Sequence, residues 1–322
     1  MNPNWNPSLK PAENFDPYND AEILQKAMKG AGTNSNTIIN ILCHRTDSQR
    51  IEIVTAFQQL FKKSLQDEIK SETSGNFQKV LIGLTTPIPE FYANEIQKIL
   101  SSRSKKLDLI IDVTCLMTNE ELNDISMTYQ RLYKKSLAEH MREELSGHFE
   151  NMLISLAEGK RIEDPQDEKN VYQVDARLLK EAINRIFKDE AKITEIFGFR
   201  STEYLKLVSK EYMTIKGVSL EDDISTKFSG DFKDALLLRL NPENQYKHFA
   251  HRINKSMDGL GTDNSTLIRL CITRCELDMN DIKVEFQSRY SESLKSFIEG
   301  DTSGKYKKAL LALCGEGSDN SE

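Results

Sequence analysis

The sequence predicts an all-α protein made of four repeats of about five helices each. One observation is a Ser-Gly step followed, after one residue, by an aromatic. It occurs at Ser74-Gly75-Asn76-Phe77, Ser146-Gly147-His148-Phe149, Ser229-Gly230-Asp231-Phe232 and Ser303-Gly304-Lys305-Tyr306, with the glycines 72, 83 and 74 residues apart. Such self-similarity is the mark of a repeat architecture. A second is that apolar residues fall at helical spacing throughout the repeats, with no strand-like alternation.

Other landmarks stay in register with these glycines. A Ser-Leu pair precedes each Ser-Gly step (Ser64-Leu65, Ser136-Leu137, Ser219-Leu220, Ser293-Leu294), and an aromatic stands 18 residues before each glycine (Phe57, Tyr129, Tyr212, Phe286). Thirty residues before it stands Arg45, Arg200 or Arg274, with Met117 in the second copy. The aromatics and leucines are expected in the core. The arginines are expected at helix C-terminal carbonyls, where cations are favoured.

From the N-terminus, residues 1–16 are Asn- and Pro-rich and read as a loose tail. Residues 17–87 form repeat 1, with helices near 19–29, 34–44, 48–62, 64–73 and 76–84. Ile51, Val54, Phe57 and Phe61 give its third helix an apolar face. The Ser-Leu serines read as N-caps, and Ser64…Asp67, Ser136…Glu139 and Ser219…Asp222 as capping boxes. Repeat 2 spans 88–160. Residues 161–241 hold a linker and repeat 3, the charged stretch 159–174 with Pro165 reading as a connection between halves. Repeat 4 spans 242–315, and 316–322 form a C-terminal tail.

Composition narrows the function. The chain has 322 residues, 38% hydrophobic and 29% charged, with a net charge of −7. That charge disfavours nucleic acid, whose binding rests on cationic contacts to phosphate. It equally disfavours unaided attraction to an anionic membrane. No apolar run is long enough to span a bilayer. The N-terminus lacks the pattern of a signal peptide, so a cytoplasmic location is expected, with release from the cell left open. Cys43, Cys115, Cys271, Cys275 and Cys314 fit no zinc spacing and read as free thiols. No Walker, zincin, nucleophile-elbow or dinucleotide motif is present, and the histidines offer no pairing for acid–base work. An enzyme is therefore not expected.

Two stretches point elsewhere. Residues 28–33 read MKGAGT and residues 257–262 read MDGLGT, and a carboxylate follows the second glycine of each by 40 residues: Glu72 after Gly32, Asp301 after Gly261. A loop with two glycines can turn tightly and present several carbonyls to one point. Calcium takes six to eight oxygens and accepts backbone carbonyls together with a bidentate carboxylate. The Met28, Gly30 and Gly32 carbonyls with Glu72 make one such set; those of Met257, Gly259 and Gly261 with Asp301 make another. The remaining positions stay open to water or an external oxygen. Repeats 2 and 3 serve as internal controls. Ser102 and Ser104 replace the glycines in repeat 2, where Glu144 keeps the acid's position; in repeat 3 they become Arg185 and Phe187, and the acid becomes Lys227.

On these residues the chain resembles the annexin family, over roughly residues 17–315. The resemblance implies a curved four-repeat disc that binds acidic, phosphatidylserine-like phospholipid membranes through Ca2+, peripherally and as calcium rises. It implies metal ligation by Met28, Gly30, Gly32, Glu72, Met257, Gly259, Gly261 and Asp301, and none in repeats 2 and 3 from the motif. Asn34, Ser35 and Asn264 stand where the family often carries acids, so secondary calcium sites are not expected there. Lys29 would add a phosphate contact, and Leu260, at a loop tip matched by Ala31, would reach toward the acyl boundary. Protein partners and self-association on membranes stay open. The alternative is a helical-repeat scaffold for proteins, with the loops incidental.

Overall fold

The computed structural model describes residues 5–30, 32–161, 171–259 and 261–316. The loop tips Ala31 and Leu260, the bulk of the linker and all but the first residue of the C-terminal tail lie outside the described residues. Repeat 1 contains α1 (Pro17–Met28), α2 (Ser35–Leu42), α3 (Asp47–Phe61), α4 (Leu65–Glu72) and α5 (Gly75–Leu84). Repeat 2 contains α6 (Ile88–Leu100), α7 (Asp108–Leu116), α8 (Asn119–Tyr133), α9 (Leu137–Glu144) and α10 (His148–Ala157). Repeat 3 contains α11 (Val171–Asn184), α12 (Glu190–Phe199), α13 (Thr202–Lys216), α14 (Leu220–Lys227) and α15 (Gly230–Leu240). After a 3-10 turn at Pro242–Asn244, repeat 4 contains α16 (Gln245–Met257), α17 (Asn264–Arg274), α18 (Met279–Tyr290), α19 (Leu294–Asp301) and α20 (Gly304–Leu313).

The recurring residues explain the recurring boundaries. Ser64, Ser136, Ser219 and Ser293 each cap the fourth helix of their repeat, accepting from the N–H three residues on at 3.0–3.3 Å. Only Ser136 closes a full box, because Glu139 reaches back to its N–H at 3.0 Å. Asp222 is one methylene shorter and takes the Ser219 hydroxyl instead, at 2.6 Å. Just before each cap the third helix ends in a left-handed residue: Lys62 (φ 55°), Lys134 (58°), Gly217 (77°) and Ser291 (59°). The aromatics Phe57, Tyr129, Tyr212 and Phe286 are fully buried, as are the Ser-Leu leucines.

Of the landmark arginines, Arg45 donates to a carbonyl just past a helix C-terminus, His44 O at 3.2 Å, and all three also hold carboxylates. Arg45 and Arg200 reach back to the first helix of their repeat, to Asp20 at 2.7 Å and Asp175 at 3.0 Å, and Arg274 pairs with Asp278 at 2.7 Å. Arginines elsewhere also bond carbonyls. Buried Arg50 donates to the Leu84 carbonyl at 2.7 Å and to that of Arg45; Arg239 donates to Phe197 and Arg200, and Arg161 to Met117. A guanidinium with five donors can join several helix ends at once.

The repeats group into two units, residues 1–88 with 246–322 and residues 89–245. In the first unit α5 packs on α17 and α20, joining repeat 1 to repeat 4; in the second, α7 packs on α15 and α10 on α12. The stretch 159–174 therefore connects two repeats of one unit, not two halves. Residues 5–16 are not loose either. Leu9 is buried and its N–H donates to Cys275 O at 2.9 Å, Ser8 donates to Leu313 O at 2.6 Å, and Ala12 N–H donates to Gln49 at 3.1 Å. The five cysteines are buried free thiols. Burial pushes the Cys43 thiol up to about 12 and Cys115 to about 11.

Candidate metal centre

The loop after α1 begins at buried Met28 and returns where Asn34 N–H donates to Ala27 O at 2.8 Å. Asn34 then caps α2 through the N–H of Thr37. The loop after α16 matches it: Met257 is buried, Asp263 N–H donates to Ser256 O at 2.7 Å, and Asp263 caps α17 through Thr266. Inside the loops Gly30, Gly32, Gly259 and Gly261 have φ of 115°, 112°, 126° and 91°. Side-chain-bearing residues resist such values. A Cβ built at any of the four meets nothing within 4 Å, so these glycines serve backbone direction and an open surround, not close packing.

The third repeat shows what the glycines add. Its loop closes by the equivalent bond, Asp189 N–H to Ala182 O at 3.1 Å, without a positive φ at Arg185 or Phe187. The turn thus forms without glycine; the glycines change how its peptide planes are set.

Glu72 and Asp301 are the last residues of α4 and α19. Thr33 donates to Glu72 Oε2 at 2.8 Å and also lies 3.2 Å from the Glu72 carbonyl. Thr262 donates to Asp301 Oδ2 at 2.5 Å. The final residue of each hexapeptide therefore fastens its loop to the distant acid and leaves carboxylate lone pairs in place. The threonine role was missed from sequence, although its signal was there: both hexapeptides end in Thr. Gly32 N–H donates to Gly30 O at 3.0 Å, which engages one of that carbonyl's two lone pairs. Beside Glu72 a hollow of about 320 Å³ is lined by Ser71, Thr73, Ser74 and Phe77 and, from repeat 4, by Lys305.

In repeat 2 the threonine position holds Lys105, whose ammonium sits 2.8 Å from Glu144. Its hydrogen bond and charge hold the Glu144 carboxyl below the usual carboxylate range. In repeat 3 Lys227 replaces the acid, donating to Asn184 Oδ1 at 2.6 Å and pairing with Asp223 at 3.0 Å. A lysine ammonium thus pairs with the retained acid in repeat 2 and replaces the acid in repeat 3. Among the described residues no group of three or more His, Cys, Asp or Glu is placed to hold a metal. The carbonyl-and-carboxylate sets of repeats 1 and 4 fit a hard, oxygen-seeking cation.

The Annexin family model matches residues 19–84, 91–156, 174–238 and 248–313. Annexin A4 of Bos taurus is 40% identical over 310 residues, covering 96% of this chain and 97% of that protein. Annexin A3 of Homo sapiens is 38% identical over 303 residues, covering 94% of each. Among solved structures, annexin III aligns with a TM-score of 0.89 at 37% identity, covering 97% of this chain and 98% of that one. A calcium-bound annexin (Sm)1 aligns with a TM-score of 0.84 at 31% identity, covering 97% and 94%.

Proposed function

The chain belongs to the annexin family, and from that premise we propose that it is a calcium-dependent binder of acidic phospholipid membranes. In this reading the carbonyls of Met28, Gly30 and Gly32 with Glu72, and those of Met257, Gly259 and Gly261 with Asp301, each hold one calcium ion. The observation that carries it is the threonine-fastened carboxylate beneath a positive-φ glycine loop, present twice in one unit. The calcium-bound annexin (Sm)1, at 31% identity, adds support from a relative.

Bound calcium would supply the positive charge that a −7 chain lacks toward lipid phosphate. The chain's own part is to aim carbonyls, to keep one carboxylate fixed by Thr33 or Thr262, and to leave space over the glycines for an external oxygen. Lys305, across the hollow from Glu72, gives an anionic headgroup a second contact. Two loops in one compact unit reinforce one another, since binding at one raises the effective concentration at the other. Among the described residues no helix is long and apolar enough to cross a membrane, and the reading is peripheral attachment without catalysis.

Sedimentation with phosphatidylserine-containing vesicles tests this. Binding in calcium, reversal by chelator and little binding to neutral vesicles are expected. Unchanged binding in excess chelator would overturn the reading and favour a surface whose partners ignore the loops.

A further inference from the structure

Repeat 2 keeps the acid of the glycine loops and loses the glycines. In its loop between α6 and α7, Ser102, Ser104 and Lys105 stand at the places of Gly30, Gly32 and Thr33. Neither serine has a positive φ. Glu144 ends α9 as Glu72 ends α4.

The oxygens that would face a metal here are taken up by the loop's own donors. The Ser104 carbonyl accepts from the Ser102 hydroxyl at 2.7 Å and from the Lys106 N–H at 3.1 Å, which uses both of its lone pairs. The Ser102 carbonyl accepts from the Lys105 ammonium at 3.4 Å, and the same ammonium lies 2.8 Å from Glu144 Oε2. Lys105 therefore spans a loop carbonyl and the distant carboxylate, the two kinds of ligand that calcium joins in the reading of repeats 1 and 4. Thr33 and Thr262 meet the acid with a neutral hydroxyl at the same point; Lys105 brings a charge. Other charges surround the pair. Arg103 and Lys106 flank Lys105 in the chain, and Asp108 opens α7. From the α8–α9 corner Lys135 pairs with Glu143, and His140 Nδ1 lies 2.6 Å from the Tyr129 hydroxyl. Lys105 is the cation bonded to Glu144.

We infer that the Lys105 ammonium is the resident cation of repeat 2, setting this loop without calcium and masking a third calcium site. The inference rests on the calcium-loop reading for what the same place holds in repeats 1 and 4. An ammonium offers three donors and one charge, so with Glu144 it makes a neutral pair, and a metal entering here must first displace the lysine. The loops of repeats 1 and 4 would then respond to calcium, while the loop of repeat 2 keeps one arrangement at every calcium level.

The test is amide hydrogen exchange of the full chain, in calcium and in chelator, beside Lys105→Met. In the wild type, residues 101–106 should exchange at one rate in both solutions, while the loops of repeats 1 and 4 slow in calcium. Lys105→Met should speed exchange at 101–106 about tenfold or more in chelator, the loss expected for a charge-assisted hydrogen bond. Wild-type residues 101–106 that slow in calcium, or a Lys105→Met loop that exchanges as before, would overturn the resident cation. Loops of repeats 1 and 4 that ignore calcium, beside a repeat 2 loop that loosens in Lys105→Met, would overturn the calcium reading and leave the lysine's hold on its loop standing. The masked site is read by equilibrium dialysis at millimolar calcium. Ser102→Gly with Ser104→Gly and Lys105→Thr, which rewrites the loop in the pattern of repeat 1, should bind about one more calcium ion per chain than the wild type. Adding Glu144→Gln should remove it. A triple variant with the wild-type circular dichroism spectrum and no extra ion would overturn the masked site.

Discussion

Glu72→Gln separates charge from shape at the first loop. A glutamine oxygen can still accept from Thr33, which now donates to Glu72 at 2.8 Å, so the fastening survives while the only formal charge in the ligand set disappears. Two unit charges 4 Å apart interact by about 1 kcal/mol in water, and a divalent ion doubles that to about 2 kcal/mol. Ligand contact at ~2.3–2.6 Å makes this a lower bound. At about 1.4 kcal/mol per tenfold, the calcium affinity of that loop should fall ~30-fold or more. Asp301→Asn should do the same at the fourth repeat. Each single variant keeps one loop, so its vesicle binding should need more calcium and rise less steeply. The double variant should bind almost none. The assay is a calcium titration of vesicle sedimentation for all four proteins, with circular dichroism as the folding control. A folded double variant with the wild-type midpoint would refute the assignment of both loops.

Thr33→Val and Thr262→Val remove the fastening and keep the charge; losing about 1 kcal/mol of hydrogen bonding should raise the calcium midpoint several-fold, and Thr33→Ser should restore it. A calcium-soaked crystal should show ions at the loops of repeats 1 and 4 and none at residues 101–105, where Lys105 holds Glu144, or at 184–188, where Lys227 replaces the acid. A third expectation concerns Glu276, whose carboxyl burial raises above the usual range although Arg50 lies 3.1 Å away. The native state then keeps this proton longer than the unfolded chain, so the stability it contributes is complete below the unfolded value and lost as pH climbs through the raised native one. Urea unfolding of wild type and Glu276→Gln should show their difference falling as pH rises from about 4.3, the unfolded glutamate value; a rising difference would mean that Arg50 outweighs burial.

The helices and the two loops were legible because both are local and repeated. A capping serine, a buried aromatic and a Gly-x-Gly step each report on a few neighbours, and four copies in register separate them from chance. What stayed hidden depends on residues distant in sequence. Asp20 lies 25 residues before Arg45, so the arginine's partner is set by how α1 meets the α2–α3 corner, which no spacing reveals. The contact of α5 with α17 and α20, which puts both glycine loops in one unit, joins the first repeat to the last. Residues 5–16 read as loose because Asn and Pro form no helix there, yet their backbone finds carbonyls near Cys275 and Leu313. At the loops, Thr33 and Thr262 were visible as letters, but their role needed the 2.8 Å and 2.5 Å contacts to acids some forty residues away.

The left-handed corner before each Ser-Leu step has a meaning for heat tolerance. A residue with a side chain gives up roughly 1–2 kcal/mol in that conformation, and Lys62, Lys134 and Ser291 all do so. Repeat 3 has Gly217 at the same corner and avoids the penalty, apart from the ~0.5–1 kcal/mol of flexibility a glycine surrenders on folding. Three of the four corners are thus under steady local tension, and each has a ready remedy already written in the fourth. The margin amounts to roughly a kilocalorie per corner. It can be drawn on without touching a glycine loop or a lysine that replaces a ligand.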